Sequence, residues 1–275
     1  MKIKKTLVLV RRFFVALVAF ALSTLTTSAP AADVGGGPQR GAYVIVHGAF
    51  GGGWDWRLVE RELTPSGRTV YRPTLTGQGE RAHLSSLTIS LTTHIDDIVN
   101  VILYENLHDV VLVGHSYGGM VITGVMERIP ERLSRVIFLD ALVPEDGESA
   151  NEFLRLIDHP GFPVLKGLMT PTWLQPGAGL PRDVAQSERT FTEPVSFKNP
   201  AALKLPATCV IFIEKGGRID SPDNDSSAKW RRLTASRARA RGWKIETLES
   251  DHVAERTHVN ELAALLLTIV GPAPR

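Results

Sequence analysis

The chain has 275 residues, 43% hydrophobic, 22% charged and 7% aromatic, with a formal net charge of +2 and one cysteine. Such values belong to a folded globular protein and exclude disorder, collagen and coiled coil, while a lone Cys209 excludes an internal disulfide framework and a cysteine-rich zinc site. The positive charge is misleading: residues 1–31 hold Lys2, Lys4, Lys5, Arg11 and Arg12 and no acid, and without them 31 basic and 29 acidic residues become 26 and 29, a net −3 with no basic run to attract nucleic acid.

Residues 1–31 read as a signal peptide. Lys2–Arg12 is a basic region and Phe13–Leu25 an apolar core of 13 residues, followed by Ala29-Pro30-Ala31, which fits a small-x-small cleavage site. An apolar run of that length is short of the roughly 20 residues a membrane span needs. Cleavage after Ala31 and a secreted or periplasmic mature protein are therefore expected, without stable membrane insertion. Arg11-Arg12 half-resembles a twin-arginine signal, so the export route stays open. Residues 32–40, with three glycines and a proline, are expected to be a flexible lead-in to a single domain spanning 32–275.

From residue 41, apolar runs alternate with helical patterns. Tyr43–Val46, Thr69–Tyr71, Asp109–Val113, Val136–Asp140, Thr208–Ile213 and Lys244–Leu248 read as strands. Helical spacing appears at Trp54–Leu63, Thr92–Leu107, Met120–Ile129, around Ser226–Arg241 and at Val259–Val270. Short continuous apolar strands alternating with helices predict an α/β fold, a mostly parallel doubly wound sheet covered on both faces. Residues 144–206 break the rhythm with nine prolines and no strand alternation, and are expected to form a cap inserted between two sheet strands.

The sharpest motif is Gly114-His115-Ser116-Tyr117-Gly118, directly after an apolar strand and opening a helix. In that context G-x-S-x-G is a nucleophile elbow: a strained turn exposes the serine hydroxyl, and Gly114 and Gly118 must lack side chains where strand and helix nearly touch. The loop His47–Gly53 follows the first strand, where an esterase places its second oxyanion donor, so the N–H groups of Ala49 and Tyr117 are the expected pair. His47 reads as a loop-structuring residue.

The base should follow the serine in the chain, which leaves His159, His252 and His258. His252, just past the strand Lys244–Leu248, is favoured, because a parallel sheet puts its site at the carboxyl ends of strands. His258 fits a helix cap and His159 a pocket wall. For the acid, Asp140 ends the strand beside the elbow, between apolar residues where an unpaired carboxylate is costly; its rivals are Glu214, Asp220, Asp223 and Asp225. Phe153, Leu154, Phe162, Leu165, Leu168, Met169, Trp173 and Phe191 offer an apolar roof in the cap. No metal cluster, P-loop or dinucleotide fingerprint is evident, so no cofactor is expected.

From Tyr43 to the last helix, the segments VIVHGAFGGGWDW, PTLTGQGERAHL, HIDDIVNVI, VVLVGHSYGGMVITGV, RVIFLDALVPEDGES and SDHVAERTHVNELAALL resemble the α/β-hydrolase superfamily. They are most similar to its bacterial carboxylesterases, akin to plant methyl-ester esterases and hydroxynitrile lyases. The resemblance implies the α/β-hydrolase fold, Ser116 as nucleophile, His252 as base and Ala49 and Tyr117 as oxyanion donors. Many relatives carry the acid after the strand matching Thr208–Ile213; here that loop reads Glu214-Lys215-Gly216-Gly217-Arg218, which favours Asp140. The lyases carry Thr and Lys where this chain has Gly48 and Val253. The expected function is a serine carboxylesterase acting on a small or medium ester. Its alternatives are a non-catalytic ligand-binding or receptor-like homologue, or a hydroxynitrile lyase.

Overall fold

Six parallel strands hold the molecule together: β1 (Tyr43–Val46), β2 (Val70–Tyr71), β3 (Val110–His115), β4 (Leu133–Leu139), β5 (Ala207–Ile213) and β6 (Lys244–Glu249), in the spatial order β6-β5-β4-β3-β1-β2. The computed structural model describes residues 39–175 and 177–271. The signal peptide expected at 1–31 lies outside them. Central strands are apolar at nearly every position because both sheet faces are covered. In β1, Val44 and Val46 enter one core with α2 (Leu91–Tyr104), α3 (Gly118–Arg128) and α6 (Ser226–Ala240), while Tyr43 and Ile45 enter a second with α1 (Arg57–Leu63) and α8 (Val259–Val270). The period of two divides one tetrapeptide between two layers.

The chain runs from β1 out to β2, then returns to the other side of β1 for β3. That reversal is a topological switch point, and the loops leaving the carboxyl ends of β1 and β3 part there to form a crevice. The loop after β1 carries Ala49, and the turn after β3 carries Ser116. None of the described helices is long and apolar enough to cross a membrane.

Two expectations need correction. Gln39–Arg40, read as the end of a flexible lead-in, is a short strand parallel to Leu107–His108, fixed by an Arg40–Asp109 ion pair at 2.5 Å and a Gln39–Thr69 hydrogen bond at 2.7 Å. The residues between β4 and β5 are more regular than their prolines suggested. They contain α4 (Ala150–Leu156), α5 (Arg189–Thr192) and a three-stranded antiparallel sheet of Val164–Leu165, Leu168–Met169 and Gln186–Ser187. Strands of two residues are too short for alternation to register.

The approach of α3 to the chain after β4 is among the tightest of the described residues. A Cβ built on Gly119 would lie 2.0 Å from the Leu142 carbonyl oxygen. Gly119→Ala is expected to destabilise the protein by about 1–3 kcal/mol through overpacking, despite the roughly 1 kcal/mol that alanine gains over glycine inside a helix. Gly179→Ala, where a Cβ meets nothing within 4 Å, should stay within about 0.5 kcal/mol. Denaturant unfolding of the two variants checks the pair.

Candidate active site

Ser116 sits at φ 53°, a left-handed conformation into which the surrounding backbone forces a non-glycine residue. Its N–H donates to the Leu139 carbonyl at 3.3 Å and its carbonyl accepts from Leu142 N–H at 3.0 Å. The glycines of the motif act as expected: a Cβ at Gly114 would stand 2.8 Å from the Gly118 carbonyl oxygen, and one at Gly118 would stand 2.7 Å from that of Val46. Gly48 is pressed by the elbow too, its virtual Cβ 3.1 Å from the Ser116 Cβ.

The structure brings Ser116, His252 and Asp140 into one hydrogen-bonded line. Ser116 Oγ lies 3.0 Å from His252 Nε2, and His252 Nδ1–H donates to Asp140 Oδ2 at 2.6 Å. Asp140 is 7% exposed, and its other oxygen accepts from Phe212 N–H at 3.3 Å, so this carboxylate is both ring partner and backbone acceptor. The loop holding His252 is tied down by Ser250 N–H to the Ile213 carbonyl at 3.0 Å, and by the His115 ring, whose Nε2–H donates to the His252 carbonyl at 2.8 Å. His258, between the short helix α7 (Ala254–Thr257) and α8, meets Ser250 Oγ at 3.0 Å. His159 lines the cavity as expected, its Nδ1 accepting from Gly161 N–H at 3.0 Å.

The rival acids go elsewhere. Asp225 caps α6 by accepting from Ala228 N–H at 2.9 Å, Asp223 accepts from Ser221 Oγ at 2.5 Å, and Asp220 faces Arg239 at 3.5 Å. Glu214 reaches the cavity wall but makes no hydrogen bond to His252.

Ala49 and Tyr117 both line the cavity with Ser116, and neither N–H has a hydrogen-bond acceptor among the described residues. His47 is 1% exposed; its Nδ1–H donates to the Gly48 carbonyl at 2.7 Å while Nε2 accepts from Leu75 N–H at 3.1 Å. That ring therefore holds the peptide plane carrying the Ala49 N–H. Burial keeps it neutral, lowering its pKa to about 4.

Electrostatics separate the histidines. Burial lowers His94 to about 4 and His115 to about 3, and among the described residues each ring is hydrogen-bonded only to neutral groups. Burial also opposes charge on His252, but the hydrogen bond and charge of Asp140 outweigh it and its pKa rises.

The cavity is about 610 Å³, a fair size for a small or medium ligand. Of the expected roof, Leu154, Phe162, Trp173 and Phe191 line it. Phe153 and Met169 are instead buried in the core, Leu165 faces solvent, and Leu168 is half-buried. Among the described residues no three His, Cys, Asp or Glu side chains gather as a metal would need.

A further group went unnoticed in the sequence. Arg256, four residues past His252, donates from Nε to Asp55 at 2.7 Å and from Nη2 to Asp183 at 2.9 Å, and Trp173 Nε1–H donates to Asp183 at 2.6 Å. It thereby ties the His252 segment, the loop after β1 and the cap together. Burial pushes Asp55 up to about 6 and Glu255 up to about 7. No local spacing links residues 55, 183 and 256.

A model of the alpha/beta hydrolase family matches residues 43–265. Among curated proteins, the chain is 52% identical over 107 residues to a carbendazim hydrolyzing esterase of Nocardioides sp. (strain SG-4G), covering 39% of this chain and 44% of that one. It is 35% identical over 109 residues to the putative chloroplastic methylesterase 14 of Arabidopsis thaliana, covering 38% and 31%. The matches thus span less than half the length of these two relatives. Among solved structures, an Arabidopsis methylesterase, MES16, has a TM-score of 0.60 at 22% identity, covering 84% of this chain and 98% of its own.

The His252 shift has a measurable sign. The imidazolium is favoured by Asp140, so an NMR titration of its ring should show a midpoint above 6.5. Asp140→Asn removes the opposing charge and leaves burial to act, so the midpoint should fall. In the same titration His115 should stay neutral down to about pH 3.

Proposed function

The chain belongs to the alpha/beta hydrolase family, and from its site we propose that it is a serine carboxylesterase working through an acyl-enzyme on small or medium esters. The observation that carries this is the hydrogen-bonded line from Ser116 Oγ through His252 to Asp140, beside two backbone N–H groups with no acceptor among the described residues. In the proposed cycle His252 Nε2 takes the Ser116 proton as Oγ attacks the ester carbonyl. The oxyanion is held by the Ala49 and Tyr117 N–H groups. His252 then protonates the departing alcohol, and water, activated by the same ring, releases the acid. Asp140 holds the ring in the tautomer with a proton on Nδ1 and stabilises the imidazolium that forms.

Aromatic walls favour an ester with an apolar or aromatic part. Methyl esters and carbendazim lead the panel to be tried, since similar proteins are a methylesterase and a carbendazim hydrolyzing esterase. Ser116→Ala should abolish hydrolysis of an activated ester without lowering the melting temperature; more than a few per cent of wild-type rate in that variant rules Ser116 out as nucleophile. Asp140→Asn should lower turnover by about 10⁴-fold, whereas Asp220→Asn and Glu214→Gln should stay within about tenfold. A folded Asp140→Asn enzyme with near-normal turnover would transfer the role to the loop after β5.

We further propose export, with cleavage before Ala32, on the basic and apolar pattern of residues 2–25. N-terminal sequencing of protein recovered outside the cytoplasm should begin at Ala32. Recovery in a membrane fraction with Met1 retained indicates an uncleaved anchor instead.

A further inference from the structure

Ala49 lies between two peptide planes. The inner one, Gly48–Ala49, carries its N–H and is held by His47. The outer one, Ala49–Phe50, is held from the cap: Gln186 Oε1 accepts from Phe50 N–H at 2.9 Å. One residue further on, the Phe50 carbonyl accepts from Val184 N–H at 2.8 Å. Phe50 itself stands at φ 67°, which a bulky residue adopts only when its surroundings over-determine it.

Gln186 is built for this contact rather than for filling space. It is 1% exposed, and both ends of its amide are used. Its Nε2 donates to Thr190 Oγ1 at 2.8 Å, and the Thr190 hydroxyl donates onward to the Ser187 carbonyl at 2.7 Å. With that hydroxyl proton directed at the Ser187 carbonyl, Thr190 Oγ1, which also meets the Tyr117 side chain, accepts from Gln186. The amide is thereby locked with its oxygen toward Phe50. The Phe50 ring already packs on Phe162, Trp173 and Phe191 at centroid distances of 4.8, 5.7 and 6.5 Å, so apolar contact alone would dock the cap. What the amide adds is direction.

We propose that Gln186 is a positioning residue for the oxyanion hole, fixing from the cap the peptide plane beside the Ala49 N–H. The role rests on the proposed function, with Ala49 as an oxyanion donor. Removing such a donor outright costs about 10²–10³-fold in turnover, and a displacement of about 1 Å can cost 10²-fold. Loss of the side chain that orients it should cost somewhat less.

The test uses three variants and two readouts. Gln186→Met keeps length and removes the acceptor, Gln186→Glu keeps an acceptor oxygen, and Thr190→Val frees the amide to turn. The readouts are kcat and KM on a p-nitrophenyl ester, and the inhibition constant of an alkyl boronic acid, whose tetrahedral adduct on Ser116 puts an oxygen in the hole. Gln186→Met should lower kcat and boronate affinity together, each by about 10–100-fold, with KM within about threefold. Gln186→Glu should recover most of that loss, and Thr190→Val should show a drop of about 3–10-fold in the same two quantities. A folded Gln186→Met with both quantities within about twofold of wild type overturns the proposal, as does a loss that appears only in KM. If Gln186→Met does not fold, an unchanged Thr190→Val overturns it. A wild type without Ser116-dependent hydrolysis overturns the proposed function, and the role of Gln186 with it; Ser116-dependent hydrolysis with unaffected variants removes Gln186 alone.

Discussion

Everything at this site depends on how closely backbone can approach backbone at the turn after β3. Ser116 occupies a left-handed conformation, and that turn closes only because Gly114 and Gly118 have no side chains to strike Gly118 and Val46 carbonyl oxygens at 2.8 and 2.7 Å. Gly48 lets the loop after β1 press on Ser116 from the other side. The strand order makes the approach possible, since β1 and β3 are hydrogen-bonded neighbours from Tyr43↔Val111 to Val46↔Gly114. Strain of order 1–3 kcal/mol at one residue is small beside the two cores that fix both strands. A hydroxyl is thereby raised above the sheet edge with helix α3 starting beneath it.

Charge is then placed with economy. His47, His94 and His115 are buried with neutral partners, so all three rings stay uncharged and serve as fixed donors and acceptors. His252 has a buried carboxylate at 2.6 Å, and there the balance tips toward the cation. Nearby, Asp55 and Asp183 are satisfied by Arg256, which sits at 4.8 Å over the Trp54 ring. Breaking that group would leave two buried carboxylates without a countercharge, a cost of several kcal/mol by the usual behaviour of such pairs.

The fold was legible because its signal is local. YVIV, DVVLV and TCVIFI announce buried parallel strands by composition alone, and the helix expected at Val259–Val270 has those same ends in the structure. The elbow was legible because its glycines are forced by sterics within five residues. Asp140 could be preferred over Glu214 because it ends a strand beside the elbow, and the structure has it against His252 while Glu214 does not bond that ring. The Arg256 group and Gln186 were not legible: their partners lie 201, 73 and 136 residues away, and no spacing rule reaches so far. The cap strands were missed because pairs of two residues have no period.

The cap therefore combines two kinds of contact with different consequences. Phe162, Trp173 and Phe191 close over Phe50 through ring contacts, which tolerate changes of shape and set which apolar group fits beneath them. Asp183, Val184 and Gln186 meet the loop after β1 and the His252 segment through hydrogen bonds, which are directional and fix register. The roof can vary in its aromatic residues without turning the peptide planes on either side of Ala49. The same cap cannot lose the segment 183–186 without losing the hydrogen bonds it makes to the loop that carries the Ala49 N–H and to the segment that carries the His252 ring.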